Sequence, residues 1–224
     1  MVVLVGEAHR DASNRTSEMS LLLPRLYPIT DTLISGLSHV EQVERFAAGG
    51  ATFVQLREKR ASPREFYGAA LEAMSLARAL RVRIVINDRV DIAIAVKADG
   101  VHLGQTDLPP DRARLLLGEG RIIGYSTHTL EQALAATFAP VDYIAIGPVF
   151  RTQTKDRPDE VVGLETVGEV KRKVTKPLVA IGGITLDSAR RVIEAGADSV
   201  AVISDVLLES DIAERTRRFL DLLV

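Results

Sequence analysis

The chain has 224 residues, 46% of them apolar and 26% charged, enough for a full core and unlike a disordered or collagen-like composition. Its formal net charge of −2 gives no electrostatic pull toward nucleic acid or an anionic membrane surface. The absence of cysteine removes disulfide frameworks, thiolate zinc sites and cysteine nucleophiles together, and fits a cytosolic (cytoplasmic) compartment.

Residues 1–20 hold one apolar run, Val2 to Val5, too short for a signal-peptide core, and then a small polar stretch without periodicity. They are expected to form a mobile leader, with the ordered domain spanning residues 21–224 and Met19 as an alternative start. No later stretch approaches the length of a membrane span.

From Arg25 onward, eight β-rich runs alternate with amphipathic stretches: RLYPIT, TFVQLR, RIVIN, GVHLG, RIIGY, YIAIG, PLVAI and SVAVIS. The intervening segments carry helix signals. Ser38 with Glu41, Ser62 with Glu65 and Thr129 with Gln132 have capping-box spacing, and Pro63 stands at a first helical position. Phe66, Ala70, Ala73, Ala77 and Leu80 recur at helical steps, leaving Arg64, Glu72, Arg78 and Arg81 to water. Gly49 and Gly196 follow apolar-periodic stretches, where a left-handed residue is wanted.

A faint repeat, AAGGATFVQLR, AVKADGVHLGQ, FAPVDYIAIGP and EAGADSVAVIS, marks every second strand. Strands apolar on both faces alternating with helices imply an α/β parallel sheet, and eight such pairs at this length fit a single-domain (β/α)8 TIM barrel. The first strand is not followed by GxGxxG, which lowers an open dinucleotide-binding sheet.

Barrel enzymes build their sites at the C-terminal ends of the strands, and the unusual polar residues of this chain fall there. In strand two, alternation turns Phe53, Gln55 and Arg57 inward if Val54 and Leu56 face the helices, with Lys59 at the mouth. Taken alone, Arg57-Glu58-Lys59 is a solvated charge run; an inward Gln55, wanting a partner, argues against that. Strand three ends at Asn87 and Asp88, and strand four supplies His102, Gln105 and Asp107. Each aspartate alone reads as a turn or cap residue, but from neighbouring strands the two can converge. Two carboxylates without His or Cys partners suit Mg²⁺, which completes its shell with water and phosphate oxygens. His102 reads first as a hydrogen-bonded core residue and second as a substrate contact; Ser126 and His128 end strand five.

After strand six a long loop carries Thr152, Thr154 and Lys155, donors suited to phosphate oxygens. After strand seven Gly182 and Gly183, and after strand eight Ile203 and Ser204, lead into helices in the manner of a phosphate cradle. Asp88 and Asp107 with a diphosphate of about −3 sum to roughly −5, which Arg57, Lys59, Lys155 and Mg²⁺ return. The residues imply a Mg²⁺-dependent enzyme joining a diphosphate-bearing electrophile to a phosphorylated acceptor.

LYPITD, FVQLREK, VINDRVDIAIAVKADGVHLGQTDLP, YSTHT, IAIGPVF with TQTK, AIGGI and VIS fall in the order found in thiamine phosphate synthase, which the chain resembles from Arg25 to its end. The resemblance implies a transferase of thiamine biosynthesis. It would pass the pyrimidinylmethyl group of 4-amino-2-methyl-5-hydroxymethylpyrimidine diphosphate to hydroxyethylthiazole phosphate, giving thiamine phosphate and pyrophosphate through a dissociative, cation-like pyrimidine. By motif, Asp88 and Asp107 would hold Mg²⁺. Gln55, Arg57, Lys59, Asn87, Ser126 and Lys155 would meet the pyrimidine diphosphate, with Arg57, Lys59, Asn87, Ser126 and Lys155 as the catalytic set. Thr152, Thr154, Gly183, Ile203 and Ser204 would line the thiazole phosphate pocket, with Gly182 as turn neighbour. Arg151 stands where the family commonly has proline. The rivals are a thiazole tautomerase of the sister family and a non-catalytic phosphate-binding regulatory barrel. The expected partners are the two small substrates, with neither nucleic acid nor membrane, and a homo-oligomer is left open.

Overall fold

A computed structural model describes residues 21–152 and 159–224. The expected leader, residues 1–20, and Thr154 and Lys155 lie outside the described residues.

Each expected run forms a strand: β1 Leu26–Pro28, β2 Phe53–Leu56, β3 Arg83–Asn87, β4 Gly100–Leu103, β5 Ile122–Thr127, β6 Tyr143–Ile146, β7 Leu178–Ile181 and β8 Ser199–Val202. The strands pair in parallel in the order β1-β8-β7-β6-β5-β4-β3-β2, and a bridge between Ile29 and Gln55 brings the two edges together. Helices α1 Thr32–Ser35 and α2 His39–Ala48 follow β1. Then α3 Pro63–Leu80, α4 Val90–Ala95, α5 Pro110–Leu117, α6 Leu130–Thr137, α7 Gly163–Lys173 and α8 Leu186–Glu194 each follow one strand. Finally α9 Ser204–Leu207 and α10 Ile212–Leu222 follow β8. This is the expected (β/α)8 barrel. No helix among the described residues is long and apolar enough to cross a membrane.

Alternation along the strands divides the core in two. Val54, Leu56, Ile84, Ile86 and their neighbours pack outward against the helices, while Tyr27, Ile29, Phe53, Val85, Tyr143, Val179 and Ala201 fill the barrel interior. The inward set includes Phe53, as the pattern of strand two requires.

Local chemistry sets the helix starts. Ser38 and Ser62 make full capping boxes with Glu41 and Glu65, each contributing about 1 kcal/mol. Thr129 makes only half of one. Its hydroxyl accepts the Gln132 N–H at 3.2 Å, but the Gln132 side chain turns to the His128 N–H at 2.7 Å. In α3 the expected stripe is buried except for Leu80, the last residue of the helix, which is exposed. Gly49 is right-handed at φ −77°, and the left-handed role passes to Gly50 at φ +99°. Gly49 answers a different need: a Cβ there would lie 2.5 Å from the Ala213 carbonyl oxygen, so its absence lets α10 approach α2.

The faint repeat has a physical cause at the bottom of the barrel. Asp99, Asp142 and Asp198 precede β4, β6 and β8, and each carboxylate accepts the N–H of the second residue of the preceding strand or its first, from Ile84, Ile123 and Leu178, at 2.6–2.7 Å. Each aspartate N–H in turn donates to the carbonyl of that same residue. The fourth repeat has Thr52 instead, and it leads into the pair β1 and β2, whose edges meet at the Ile29 bridge. Three strand pairs are clamped by a carboxylate; the seam is not.

Candidate active site

The stretch Val85-Ile86-Asn87-Asp88 runs as strand to Asn87 and then turns sharply. The Arg89 N–H reaches back to the Asn87 carbonyl at 2.8 Å, with Asp88 at the apex in the left-handed region at φ +63°. Aspartate tolerates that region better than most residues, and the turn aims its carboxylate over the barrel mouth. Asp107 reaches the same place from the loop after β4. Its carboxylate accepts the Gly104 N–H at 2.6 Å, so it closes this loop rather than capping α5, whose cap position is Pro109. Burial pushes the Asp107 carboxyl above the usual carboxylate range, the Gly104 N–H pulls it down, and the neighbouring Asp88 carboxyl pushes it up again. The two acidic groups do converge.

A cavity of about 760 Å³ opens at this end of the barrel. Gln55, Arg57, Lys59, Asn87, Asp88, His102, Asp107 and Ser126 line one side; Thr152, Gly182, Gly183, Ile203 and Ser204 line the other. Every sequence-selected site residue among the described residues is on its wall. Asn87 is 7% exposed, and its side-chain nitrogen has no hydrogen-bond partner there, a buried donor that a ligand oxygen would satisfy.

The basic residues are not free charges. Lys59 pairs with Asp88 at 2.5 Å, and Arg57 pairs with Asp31. Asp31 escaped the sequence reading because it serves two masters: one carboxylate oxygen caps α1 through the N–H groups of Leu33 and Ile34, and the other holds the guanidinium. The wall also carries Asp31, Glu58 and Asp159 against one further base, Arg60, so the balance of charges shifts by about two toward negative. A cation held by Asp88 and Asp107 would offset part of that negative charge. The donor set fits Mg²⁺: two close carboxylates, one of them raised by burial and by the other, and among the described residues no third acidic or imidazole ligand completing a protein cage.

Thr30, His39 and Glu58 support this side, and nothing in the sequence pattern singled them out. The Thr30 hydroxyl accepts the Arg57 N–H at 3.1 Å across the β1–β2 seam and meets His39 Nδ1 at 2.8 Å. His39 Nε2 lies 3.5 Å from Glu58, whose other oxygen accepts the Arg60 and Ala61 N–H groups. Glu58 is drawn two ways: burial raises its carboxyl, while those N–H groups, His39 and Thr32 together bring it below the usual range. Burial lowers His39 despite the carboxylates of Glu58 and Asp31.

Below the mouth, Gln55 Nε2 donates to the Tyr27 hydroxyl at 2.9 Å, and Tyr27 meets the Tyr143 hydroxyl at 2.8 Å. Tyr143 meets His102 Nδ1 at 2.9 Å, and His102 Nε2 meets the Ser126 hydroxyl at 2.8 Å. Burial pushes both phenols above their usual range, so they stay protonated. His102 is 6% exposed, with its ring nitrogens at Tyr143 and Ser126, and it lines the cavity beside Ser126.

The opposite wall is backbone. Gly182 and Gly183 are left-handed at φ +100° and +64°, and a Cβ on either would stand 2.5 Å from the loop after β6, at Pro148 or at the Arg151 carbonyl. That loop extends the sheet, with the Val149 and Phe150 N–H groups donating to Ile181 and Gly182. Arg151 itself is exposed. The amides of Gly182, Gly183 and Ile203 have no acceptor among the described residues. The helix starts contribute less than their position promised. The first N–H of α8, Leu186, donates to Asp205 at 3.2 Å, and α9 is a single turn. The cradle is the glycine turn and the Ile203 amide.

Comparisons with known proteins agree with this geometry. A family model described as thiamine monophosphate synthase matches residues 26–206. A thiamine-phosphate synthase of Koribacter versatilis is 48% identical over 91% of this chain and 97% of its own. Another, of Methanospirillum hungatei, is 45% identical over 89% and 97%. A solved structure of thiamine phosphate pyrophosphorylase from Pyrococcus furiosus superposes with a TM-score of 0.81 at 39% identity, covering 89% of this chain and 95% of that one.

Proposed function

The chain belongs to the thiamine monophosphate synthase family, and from that premise we propose that it is the transferase that builds thiamine phosphate from a pyrimidine diphosphate and a thiazole phosphate. In the reaction the bond between the pyrimidine methylene carbon and the diphosphate oxygen breaks, its electron pair leaving with pyrophosphate. The thiazole nitrogen then supplies the pair for the new carbon–nitrogen bond. The observation that carries this reading is one cavity with two unlike anion-binding walls, one of charged side chains and one of free backbone amides.

On the charged wall, Arg57, Lys59, Asn87 and Ser126 receive the diphosphate and Gln55 the pyrimidine, and by motif Lys155 joins them at the diphosphate. Arg57 and Lys59 can turn from Asp31 and Asp88 toward the leaving group as charge collects there. On the amide wall, Gly183, Ile203 and Ser204 hold the thiazole phosphate, with Thr152 beside it and Gly182 shaping the turn; by motif Thr154 serves the same substrate. Asp88 and Asp107 would hold Mg²⁺, which would supply positive charge to the departing diphosphate. No side chain has to take a proton in the step that breaks the bond, consistent with a wall that holds charges in place and offers no obvious base. The partners on this reading are the two small molecules, in the cytosol, with neither nucleic acid nor membrane.

The test incubates pure protein with both substrates, with and without Mg²⁺, and follows pyrophosphate and thiamine phosphate. Metal-dependent formation of both in equal amounts is expected. Turnover that is absent, or that ignores the metal, overturns the proposal; conversion of the thiazole phosphate alone would place the chain with the tautomerases.

A further inference from the structure

The barrel interior contains an unbroken polar chain from one wall residue to another: Gln55, Tyr27, Tyr143, His102 and Ser126, linked by contacts of 2.8–2.9 Å. Its middle members are 0–6% exposed, so each hydroxyl proton must find an acceptor within the chain. Counting protons then fixes a direction. Gln55 donates through Nε2 to Tyr27, so the Tyr27 proton goes to Tyr143, the Tyr143 proton goes to His102 Nδ1, and His102 donates from Nε2 to Ser126. If any link were reversed while Gln55 still donated, one buried hydroxyl proton would be left with no acceptor. Turning the Gln55 amide over gives the Tyr27 proton an acceptor in its carbonyl oxygen and lets the remaining links run the other way, each tyrosine then accepting from its neighbour.

We propose that this chain is a hydrogen-bond relay that fixes the polarity of both its ends, and thereby makes the site select an amino over an oxo substituent on the pyrimidine. With the amide as it stands, the Gln55 carbonyl oxygen has no partner among the described residues and faces a ligand as an acceptor. At the other end the Ser126 hydroxyl, already accepting from His102, has its own proton to give. An acceptor for an exocyclic amine and a donor for a diphosphate oxygen match the two ends of one aminopyrimidine diphosphate. A 4-oxo analogue would need the Gln55 amide reversed. Carried on through both tyrosines, the only arrangement in which all four contacts keep a proton, the reversal commits the Ser126 proton to His102 and deprives the diphosphate of its donor. The two ends are therefore read together.

Packing keeps the relay in place. Tyr27 stands edge-on to Phe53 at 4.8 Å and to Tyr143 at 6.0 Å, and the His102 ring stacks on Tyr143 at 5.6 Å. Gly124, opposite His102 on β5, leaves the space that the Tyr143 ring occupies, since a Cβ there would lie 2.0 Å from it. Tyr27 and Tyr143 are positioning residues, removed from the reacting atoms.

The inference rests on the pyrimidine diphosphate being a substrate, and the experiment separates the two claims. The full chain is titrated calorimetrically with 4-amino-2-methyl-5-hydroxymethylpyrimidine diphosphate and with its 4-oxo counterpart, as wild type, Tyr143→Phe and Tyr27→Phe. Wild type should prefer the amino compound by about 100-fold or more, because the wrong group leaves buried polar atoms unpaired. In Tyr143→Phe the Tyr27 proton has only the Gln55 carbonyl to meet, which favours the reversed amide. The preference should fall by about tenfold or more, mainly through better binding of the oxo compound. Tyr27→Phe frees the amide while leaving Tyr143 on His102, so its preference should fall less and its diphosphate affinity should stay near wild type. A variant that only loosened the fold would weaken both ligands alike and leave the ratio unchanged. An unchanged ratio in both folded variants overturns the relay while leaving the function intact. Failure of wild type to bind either compound overturns the functional reading, and the relay with it.

Discussion

The two walls of the cavity are made in different ways. On the side of β2 to β4, ligand-facing charges are side chains held by other side chains: Arg57 by Asp31, Lys59 by Asp88, and the Arg57 backbone by Thr30 and through it His39. On the side of β7 and β8 the ligand-facing groups are backbone amides, held by close contact between Gly182, Gly183 and the loop after β6. The first wall is electrostatic and adjustable, since each cation can exchange its carboxylate for a phosphate. The second is steric and fixed. A leaving diphosphate, whose charge grows during reaction, suits the first; a monophosphate that only has to be held suits the second.

The largest effects should come from breaking the charged wall at its centre. Asp88→Ala and Asp107→Ala should each lower turnover by roughly 10³-fold or more while circular dichroism stays native, because the wall would then lose the divalent cation proposed for it at the developing charge. Turnover near wild type in either variant would show that the two carboxylates are not the heart of that wall. Next comes Gly183→Ala, which places a Cβ 2.5 Å from the Arg151 carbonyl at φ +64°. It should raise KM for the thiazole phosphate about 10- to 100-fold, the worth of a charge-assisted amide contact, and leave affinity for the pyrimidine diphosphate unchanged. Equal damage to both substrates would mean the walls are not separate.

A smaller effect sharpens the idea that the charged wall is adjustable. Asp31→Asn keeps an oxygen to cap α1 and removes the carboxylate from Arg57. The diphosphate should bind about threefold tighter in the ground state, while turnover falls about tenfold because the guanidinium is no longer aimed. If both constants worsen together, Asp31 serves the helix and not the arginine.

The difference between the walls also explains what the sequence could disclose. Strand positions, two complete capping boxes and the inward face of β2 follow from local spacing, and all appear in the fold. The repeat was visible as well, because Asp99, Asp142 and Asp198 must each satisfy an N–H on the neighbouring strand. Asp88, Asp107 and the basic residues could be found by type and placement at strand ends. Their partners could not. Asp31 looks like a helix cap because it is one, and Tyr27 and Tyr143 look like core because they are buried there. That Asp205, not a ligand, takes the first amide of α8 depends on where a later element lands. Gly49 and Gly50 make the same point: the pattern located the turn, but contact with α10 decided which glycine does what.

The smallest expected effect concerns acid. The charged wall rests on His39, a buried imidazole at 2% exposure whose Nε2 lacks a hydrogen bond and whose proton affinity burial holds below the ordinary value of 6.5. A group lowered in the folded state contributes stability that is fully present above its unfolded value and is lost as pH falls toward the folded one. Wild type should therefore lose stability as pH drops below 6.5, before Glu58, lowered from 4.5, begins to contribute a second loss. His39→Gln should lack the first loss and be less stable at neutral pH, with a Tm lower by on the order of 2–4 °C, the size of about 1 kcal/mol in a chain of this length. The glycine wall has no such support. Mild acid should thus weaken pyrimidine diphosphate binding in wild type through the loosened β2 tip, while thiazole phosphate binding changes only as its own phosphate titrates. A titration of each ligand between pH 7.5 and 5.5, in wild type and His39→Gln, measures this directly; a parallel decline of both ligands in wild type would show the two walls sharing one foundation.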